Sequence, residues 1–338
     1  MNIRDIARLA NVTPGTVSKV LNNYPDISES TRAHVKQIID EYQYAPTVGV
    51  KNTQSESKST MIGLVIEGVY NSLYADMHQM ISNRFHNAGC PILSYSDNYF
   101  AQDKTEKFEE ILKYANDRKL TGLIYLGGSF ANVDENHFNR LPCPTIFVDT
   151  VLPLSFAQTN YSSIQSNNYE CGMRQMDILI NKGHQNIVMM ITSKDDISVY
   201  GLRYEGYKSA LSLAKLTNNL DNVVEGQYIY PRTYENLMKF MKEHPEITAI
   251  CISADIMAPA VLRVLYDLGR KPGEDIDIIS FDGLELMDYT VPRVTGFQQP
   301  KQEMVDSIYD LLMGLMSNEK KHQHITFQNQ IVYRETLK

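Results

Sequence analysis

The chain opens with two stretches whose apolar residues have the spacing of one helix face. Over residues 2–10 the apolar positions are 3, 6, 7 and 10, and Asn2 can cap the helix. After a short break, Thr13 provides a second cap and Pro14 occupies the first helical position, where its missing N–H costs nothing. Two short helices joined by a tight turn predict a helix-turn-helix unit. The side chains expected to pack between them are Ala7, Val17 and Val20.

A third helix is predicted after this unit. Ser28 provides its cap, and the helix ends near Tyr44 and Pro46, because the residue before a proline disfavours helix. Its buried stripe is expected at Thr31, Val35, Ile38 and Ile39. The pattern alone leaves two interpretations of residues 1–46, a DNA-binding head and a plain three-helix cap domain, because helix-turn-helix periodicity is common.

From Met61 onward, short apolar runs alternate with stretches of helical periodicity. The first half has predicted strands at 61–66, 92–95 and 123–126 and predicted helices at 74–88 and 104–118. The second half has predicted strands at 187–191, 249–252 and 276–281 and predicted helices at 201–215, 233–243 and 256–268. This alternation predicts an α/β fold of doubly wound parallel sheets. A ligand cleft is expected between the two halves, at the carboxyl ends of the strands.

Composition excludes several other classes of protein. The 338 residues are 43% hydrophobic and 21% charged, as expected for a globular chain of two or three domains. No apolar run approaches the ~20 residues of a membrane span, and the N-terminus lacks a signal peptide, so we expect a cytoplasmic protein without a membrane partner. The four Cys include no CxxC pair, which leaves no indication of a zinc or redox site.

The charge is divided unequally along the chain. Residues 1–60 carry 7 Lys and Arg against 6 Asp and Glu, whereas the remaining 278 carry 25 against 34. The overall charge of −8 therefore belongs to the large part. A small, slightly basic head on an acidic body fits a DNA-binding module joined to another domain.

Four motifs in the head resemble the headpiece of the lactose/galactose repressor (LacI/GalR) family. In chain order they are Asp5-Ile-Ala, Thr16-Val-Ser-Lys-Val-Leu-Asn22, Ser28-x-x-Thr-Arg32 and Tyr44-x-Pro46. In that family the second helix enters the major groove of double-stranded operator DNA and the third helix supports it. The resemblance implies base or phosphate contacts from Thr16, Ser18, Lys19, Asn22 and Arg32.

The recognition helix departs from the family pattern at its start. Pro14 and Gly15 stand where the family commonly has base-reading side chains, and neither can donate a side-chain hydrogen bond to a base. Lys19 replaces the usual Arg and lacks its planar fork. Base readout is therefore expected to depend on Lys19, Thr16 and Ser18, with more weight on phosphate positioning.

Residues 47–60 correspond to the family's hinge helix, which forms on operator DNA and inserts a leucine into the minor groove. Aligned from Pro46, that leucine falls on Thr53 and the preceding alanine on Val50. Gly49 and the Ser-rich tail lower helix propensity, and a threonine is too small and polar to act as an apolar wedge. Two interpretations stay open, a hinge with Thr53 at the DNA and a flexible polar linker.

The resemblance continues through residues 61–338, the expected effector-binding and dimerisation core. The matching motifs include Ile62-Gly-Leu-Val65, Arg203-x-x-Gly-Tyr207, Asp255-x-Met-Ala258, Asp275-Ile-x-x-Ile-Ser-Phe-Asp282 and Gln299-Pro300. They imply a periplasmic-binding-protein-like pair of subdomains joined by three crossovers. The first would comprise residues 61–160 plus 292–322, and the second residues 161–291 plus 323–338.

The resemblance also implies a set of ligand-binding residues in the cleft. They are Leu73, Tyr74, Asp149, Arg203, Tyr228, Asp255 and Asp282. Structural roles are equally open for some of them, because an Asp at a strand end often caps the next helix and Arg203 can pair with an acidic neighbour. The tyrosine-rich stretch 200–234 can line a sugar site or fill a core. Ala254 replaces the family's ligand-binding Asn, which weakens a transfer of the usual sugar specificity.

No enzymatic activity or cofactor is expected, because the sequence lacks nucleophile-elbow, P-loop and dinucleotide motifs. We predict a repressor of a carbohydrate-utilisation operon, controlled by a sugar or sugar derivative. No heptad repeat follows Leu337, so a homodimer is expected rather than a tetramer. The alternatives are a ligand-binding protein whose head is a relic and a regulator that depends on a corepressor protein, each with weakened direct DNA readout.

Overall fold

A computed structural model describes residues 3–21, 27–41, 60–67, 72–97, 103–153 and 160–337. The chain divides into two compact units, residues 1–58 and residues 59–338. Asn22, Thr53 and most of the expected linker 47–60 lie outside the described residues, and the Ser18 side chain is likewise not described. The predictions for these residues stay predictions.

Within residues 3–21 and 27–41, the described part of the first unit forms three helices, as the apolar spacing predicts. They are α1 (Ile3–Leu9), α2 (Pro14–Leu21) and α3 (Glu29–Glu41). Ala7, Val17 and Val20 are buried between them, as predicted, together with Ile6, Ala10, Val35 and Ile38. The stripe on α3 is narrower than expected, because Thr31 and Ile39 are only partly buried. Ser28 caps α3, since its Oγ accepts a hydrogen bond from the Thr31 N–H at 3.2 Å.

The second unit alternates helices and strands. Its helices are α4 (Ser72–Asn87), α5 (Lys104–Asp117), α6 (Glu135–Phe138), α7 (Asn168–Asn181), α8 (Val199–Leu213), α9 (Tyr230–Glu243), α10 (Ala258–Asp267) and α11 (Lys301–Met316). The first strands are β1 (Ile62–Glu67), β2 (Ile92–Asp97), β3 (Gly122–Leu126), β4 (Thr145–Val148), β5 (Ser162–Ser166) and β6 (Ile187–Ile191). The remaining strands are β7 (Val223–Glu225), β8 (Ala249–Ile252), β9 (Asp277–Asp282), β10 (Gly296–Gln298), β11 (His324–Phe327) and β12 (Gln330–Val332).

The strands form two six-stranded sheets, which confirms the predicted α/β class. The first sheet has the order β11-β5-β4-β3-β1-β2 and is parallel throughout. The second has the order β12-β10-β9-β8-β6-β7 and is parallel except for β12 at its edge. Parallel strands place all their carboxyl ends at one edge of a sheet, so each half presents one such edge for a site.

Each sheet is covered on both faces by helices. Successive residues of a strand point to opposite faces, so Leu64 packs with α4 and α11 whereas Val65 packs with α5 and α6. In the second sheet, Met190 packs with α9 and α10 whereas Met189 packs with α7 and α8. This two-sided burial explains why the central strands are nearly continuous apolar runs.

The expected subdomain boundaries are wrong at all three crossovers. The sequence predicts that the second subdomain begins at residue 161, but residues 162–166 form β5 of the first sheet. It also predicts that residues 292–322 belong to the first subdomain, but β10 at 296–298 belongs to the second sheet. β11 at 324–327 joins the first sheet, against the assignment of 323–338 to the second. The chain crosses between the sheets after β5, β10 and β11. Each of these strands first pairs with a strand of the sheet that the chain is about to leave: β5 with β4, β10 with β9, and β11 with β5. This pairing satisfies backbone hydrogen bonds of both strands.

Candidate functional site

Four buried charged side chains from both halves of the second unit come together at the carboxyl ends of the strands. Asp149 follows β4 of the first sheet, Asp255 follows β8 and Asp282 ends β9 of the second, and Arg203 lies on α8. The exposed fraction is 0% for Asp149 and Arg203, 1% for Asp255 and 2% for Asp282. Burial of charged groups is costly unless they are paired, so their proximity is a strong sign of function.

Arg203 holds most of this cluster in place. Its Nη1 donates to Asp282 Oδ1 at 2.9 Å and to the Ser253 carbonyl at 2.6 Å, and its Nε donates to Asn168 Oδ1 at 2.8 Å. The guanidinium also lies over the Phe281 ring, 3.7 Å from the ring centroid. Nη2 is buried and has no hydrogen-bond partner among the described residues, which leaves the two N–H groups of this nitrogen for a ligand.

Two glycines explain how α8 brings Arg203 so close to α7. A Cβ on Gly172 would lie 2.2 Å from the Arg203 carbonyl oxygen, and a Cβ on Gly206 would lie 2.2 Å from the Tyr169 carbonyl oxygen. Only glycine permits this backbone approach. The Arg203-x-x-Gly206 motif therefore has a physical reason, because the glycine seats the helix that carries the arginine.

Asp149 connects the first sheet to the cluster. Its Oδ1 accepts a hydrogen bond from the Ser166 N–H at 3.1 Å, whereas Oδ2 is buried without a partner in the described part of the chain. Tyr74 donates its hydroxyl proton to the Asp149 carbonyl at 3.4 Å, and Leu73 is buried beside it on α4. Burial raises the pKa of the Asp149 carboxyl above its ordinary value.

Asp255 and Asp282, both at strand ends of the second sheet, form an acidic pair. Asp255 Oδ2 accepts from the Leu284 N–H at 2.8 Å, and Oδ1 is buried without a partner among the residues described. Burial raises the pKa of Asp255 to about 7, with repulsion from Asp282 as the next cause. Burial also raises the pKa of Asp282 to about 6, although Arg203 opposes the shift. The two carboxyls thus compete for charge at neutral pH.

The tyrosine-rich stretch divides into two groups. The Tyr228 ring packs edge-on against Tyr200 with centroids 5.3 Å apart, and Tyr200 also lies under the Arg203 guanidinium. By contrast, Tyr207 donates to Gln175 Oε1 and Tyr234 donates to Asp267 Oδ2, both at 2.8 Å. Tyr228 and Tyr200 therefore belong to the cluster, whereas Tyr207 and Tyr234 support the surrounding fold.

Three polar residues that the sequence analysis assigned no role meet where the chain crosses between the sheets. Ser166 ends β5, Gln299 follows β10 and Asn329 follows β11. Ser166 Oγ lies 2.8 Å from Asn329 Oδ1 and 3.3 Å from Gln299 Oε1. We call this set the crossover junction. Because Ser166 N–H also binds Asp149, the junction connects all three crossovers to the acidic cluster.

A turn at Gly127-Gly128 closes the edge of the first sheet. Tyr74 fills the space where a Gly127 side chain would stand, and the Glu67 carboxylate fills the space at Gly128. Glu67 Oε1 lies 2.9 Å from both Lys104 Nζ and Lys107 Nζ, and Oε2 accepts from the Tyr125 hydroxyl at 3.0 Å. This buried ion cluster fixes β1, β3 and the start of α5 together.

The head presents its predicted DNA-binding residues in different ways. Pro14, Gly15 and Lys19 on α2 are exposed, and Thr16 is half-buried. Thr16 Oγ1 lies 3.0 Å from Thr13 Oγ1, which also caps α2 by accepting from the Thr16 N–H at 3.2 Å. Part of the Thr16 hydroxyl's hydrogen-bonding capacity is therefore used inside the helix cap. Arg32 is half-buried on α3.

Comparison with known proteins identifies the two units. Residues 2–47 match the model of bacterial regulatory proteins of the lacI family, and residues 176–337 match a periplasmic binding protein-like domain. The HTH-type transcriptional regulator MalR of Clostridium butyricum is 30% identical over 337 residues, which is 99% of each chain. The chain belongs to the LacI family. It is a LacI-family DNA-binding transcriptional regulator, and the resemblance drawn from the sequence motifs is confirmed.

Solved structures agree with the fold of this LacI-family chain. A Lac repressor dimer bound to operator and the anti-inducer ONPF matches with a TM-score of 0.76 at 21% identity, covering 100% of this chain and 99% of that one. A complex of the transcriptional regulator CelR with cellobiose matches with a TM-score of 0.67, also at 21% identity, covering 99% of each. The head match at residues 2–47 does not favour the alternative in which the head is a relic.

None of the helices in the described residues of this regulator is long and apolar enough to cross a membrane. Within the same residues, no group of three or more His, Cys, Asp or Glu is arranged to hold a metal ion.

Proposed function

We propose that this LacI-family regulator represses a carbohydrate-utilisation operon and that a sugar-like effector in the acidic cluster controls it. The observation that carries the proposal is a set of buried polar atoms that lack partners in the described chain. Arg203 Nη2 is a donor, whereas Asp149 Oδ2 and Asp255 Oδ1 are acceptors. A hydroxyl group both donates and accepts, so a polyhydroxylated molecule satisfies both kinds of atom.

Each predicted ligand-binding residue receives a role in this proposal. Arg203 donates through Nη2, while Asp149 and Asp255 accept from ligand hydroxyls. Asp282 orients Arg203 and supplies a further acceptor. The apolar bodies of Leu73, Tyr74 and Tyr228 form walls against which the carbon faces of a sugar pack.

The head contacts operator DNA in the proposed complex. Lys19, exposed on α2, reaches a base or a phosphate, and Thr16 and Ser18 stand on the same helix. Asn22, Arg32 and Thr53 complete the proposed contacts with the DNA backbone and the minor groove. Because α2 begins with Pro14 and Gly15, phosphate contacts and DNA shape carry much of the recognition.

We propose that two copies of the chain bind a near-palindromic operator, one head on each half-site. The effector then acts by linkage, because its binding at residues from both sheets favours one arrangement of the two halves over another. The protein acts in the cytoplasm, where the DNA is, and neither catalysis nor a cofactor is part of this mechanism.

Capture of genomic DNA tests the proposal. Purified protein is mixed with sheared DNA from its source at moderate salt, and the bound fragments are sequenced. We expect one or a few inverted repeats beside carbohydrate genes, and a Lys19→Ala, Arg32→Ala double variant should lose this enrichment. A matched Lys239→Ala, Arg263→Ala variant on the other unit should retain it. Equal capture by the head variant, or no enriched site, would contradict the proposal.

A further inference from the structure

The acidic cluster contains more negative than positive groups. Of its three carboxyls, Asp282 pairs with Arg203 at 2.9 Å. Asp149 and Asp255 make no ion pair within 4.0 Å with any described residue; each accepts a backbone N–H, and the side chains recorded near them, Gln299, Asn168 and Ser280, are uncharged. Arg203 is thus the one cation that faces three buried carboxyls in the described part of the unit.

Three stretches that follow strands of the first sheet in the chain and lie outside the described residues contain no cationic residue. Residues 68–71 follow β1, residues 98–102 follow β2 and residues 154–159 follow the turn after β4. Their sequences are Gly-Val-Tyr-Asn, Asn-Tyr-Phe-Ala-Gln and Leu-Ser-Phe-Ala-Gln-Thr. None of these residues carries a charge, so the charge balance of the cluster does not depend on where the segments lie.

The lysines at the same edge of the first sheet already form ion pairs with carboxylates. Lys104 and Lys107 each lie 2.9 Å from Glu67 Oε1, and Lys107 is 1% exposed. Lys301, at the start of α11, pairs with Asp76 at 2.9 Å. An anionic ligand group could therefore recruit one of these lysines only by disrupting an existing ion pair.

We propose that the cluster selects uncharged polyhydroxylated ligands and excludes their anionic derivatives, such as sugar phosphates and uronic acids. The inference rests on the proposed function, because it names the class of effector for the same site. Neutral hydroxyls donate to Asp149 Oδ2 and Asp255 Oδ1 and accept from Arg203 Nη2, so each of these three atoms gains a partner. A phosphate or carboxylate instead adds negative charge beside three carboxyls that share the single cation Arg203.

The raised pKa values of the carboxyls agree with this charge balance. Burial and repulsion from a neighbouring carboxyl already raise the pKa of Asp255. The same two causes raise the pKa of Asp282, although Arg203 opposes the shift. Another anion would raise them further, so its binding would require proton uptake as well as desolvation. A neutral ligand adds no charge, so its binding requires desolvation of hydroxyl groups but no proton uptake.

Isothermal titration calorimetry of the full chain with matched sugars tests the inference. The probes are glucose, maltose and cellobiose, each beside its 6-phosphate or 6′-phosphate ester, with glucuronate beside glucose. We expect at least one neutral sugar to bind, and its anionic counterpart to bind roughly tenfold or more weakly, the size of one lost charge-assisted hydrogen bond. The inference would be overturned if the anionic compound of a pair bound as tightly as its neutral sugar or more tightly. It would also be overturned if no neutral sugar bound.

A variant separates the charge effect from sugar shape. Asp255→Asn removes one carboxylate at almost constant volume. We expect the ratio of affinities, neutral sugar over anionic derivative, to fall several-fold. Asp267→Asn, on α10 and paired with Arg263, is the matched control and should leave the preference unchanged. An Asp255→Asn protein with undiminished preference would overturn the charge explanation.

The outcomes also separate this inference from the proposed function. Release of operator DNA by a phosphorylated sugar would refute the inference while supporting sugar control of DNA binding. If no sugar of either kind binds while operator binding is intact, both the inference and the effector part of the proposed function fail.

Discussion

Arg203 and Asp282 form a fully buried ion pair, with Nη1 2.9 Å from Oδ1, between α8 and the end of β9. The pair is a structural contact and at the same time part of the candidate site, because a second nitrogen of the same guanidinium has no partner in the described chain. An arginine can serve both roles because its planar fork carries five donors. The structural and functional interpretations of Arg203 are therefore compatible.

Replacement of this arginine by lysine should weaken the effector without removing the fold. Arg203→Lys keeps the positive charge beside Asp282 but loses the donor at Nη2, so we expect effector affinity to fall roughly 10- to 100-fold. Operator affinity without effector should change little, because the head is a separate unit. Calorimetry and fluorescence anisotropy measure the two affinities. Unchanged effector binding would mean that Arg203 is only structural.

The close approach of α7 and α8 gives a stability prediction. In Gly172→Ala the new Cβ would lie 2.2 Å from the Arg203 carbonyl, which is backbone and cannot move alone. We expect a loss of about 1–3 kcal/mol in the free energy of unfolding, measured by urea titration, as for other overpacked sites. Effector affinity should fall as well, because the helix carrying Arg203 must shift.

Gly314→Ala is the matched control for this substitution. Its Cβ would meet the Lys320 side chain at 2.6 Å, but that side chain is exposed and can rotate away. The better helix propensity of alanine should leave stability unchanged or raise it by up to about 1 kcal/mol. Equal losses in both variants would argue against the backbone contact as the cause.

The crossover junction should affect coupling more than stability. Ser166→Ala removes the hydroxyl that joins Gln299 and Asn329, and the buried amides left behind should cost about 1–3 kcal/mol of unfolding free energy. Ser163→Ala on the same strand removes a hydroxyl bonded to His324 at 2.8 Å and provides the control. Both should lose stability, measured by urea unfolding, but only Ser166→Ala should change the effect of effector on operator affinity. Identical coupling in the two variants would refute a special role for the junction.

Low pH should stabilise the second unit, because Asp255 is then protonated. Its pKa is about 7 in the folded chain against an ordinary value of 3.8, so between these values the folded state binds more protons than the unfolded state. The contribution of this group to stability therefore falls as pH rises from about 4 to about 7. Relative to Asp255→Asn, the unaltered protein should lose unfolding free energy as pH rises from about 4 to about 7 in urea titrations. An opposite or absent difference would contradict the burial of an ionisable Asp255.

The parts of the fold that the sequence predicts correctly are those with strong local patterns. Apolar runs such as Ile187–Ile191 and Ala249–Ile252 coincide with β6 and β8, and the head helices follow from caps and spacing. β5 has the sequence Ser-Ser-Ile-Gln-Ser, whose polar residues point inward to partners from the end of the chain. No local pattern identifies such a strand, so the boundary at residue 160 was wrong.

The sequence also predicts some, but not all, of the residues of the candidate site. Arg203, Asp282 and Asp149 were assigned from motifs, and the structure brings them together. Asn168 and the crossover junction were missed, because their partners lie 35 to 163 residues away in the chain. Contacts of this kind depend on which strands cross between the sheets, and the sequence pattern placed those crossings incorrectly.

Reciprocal linkage between effector and operator is the most direct test of the account. The affinity of the full chain for its captured operator is measured with and without a saturating amount of the neutral sugar that binds it. The affinity for that sugar is then measured with and without operator. Effector control predicts that both affinities change by the same factor, about 5-fold or more. An operator affinity that is unchanged at saturating sugar would contradict it.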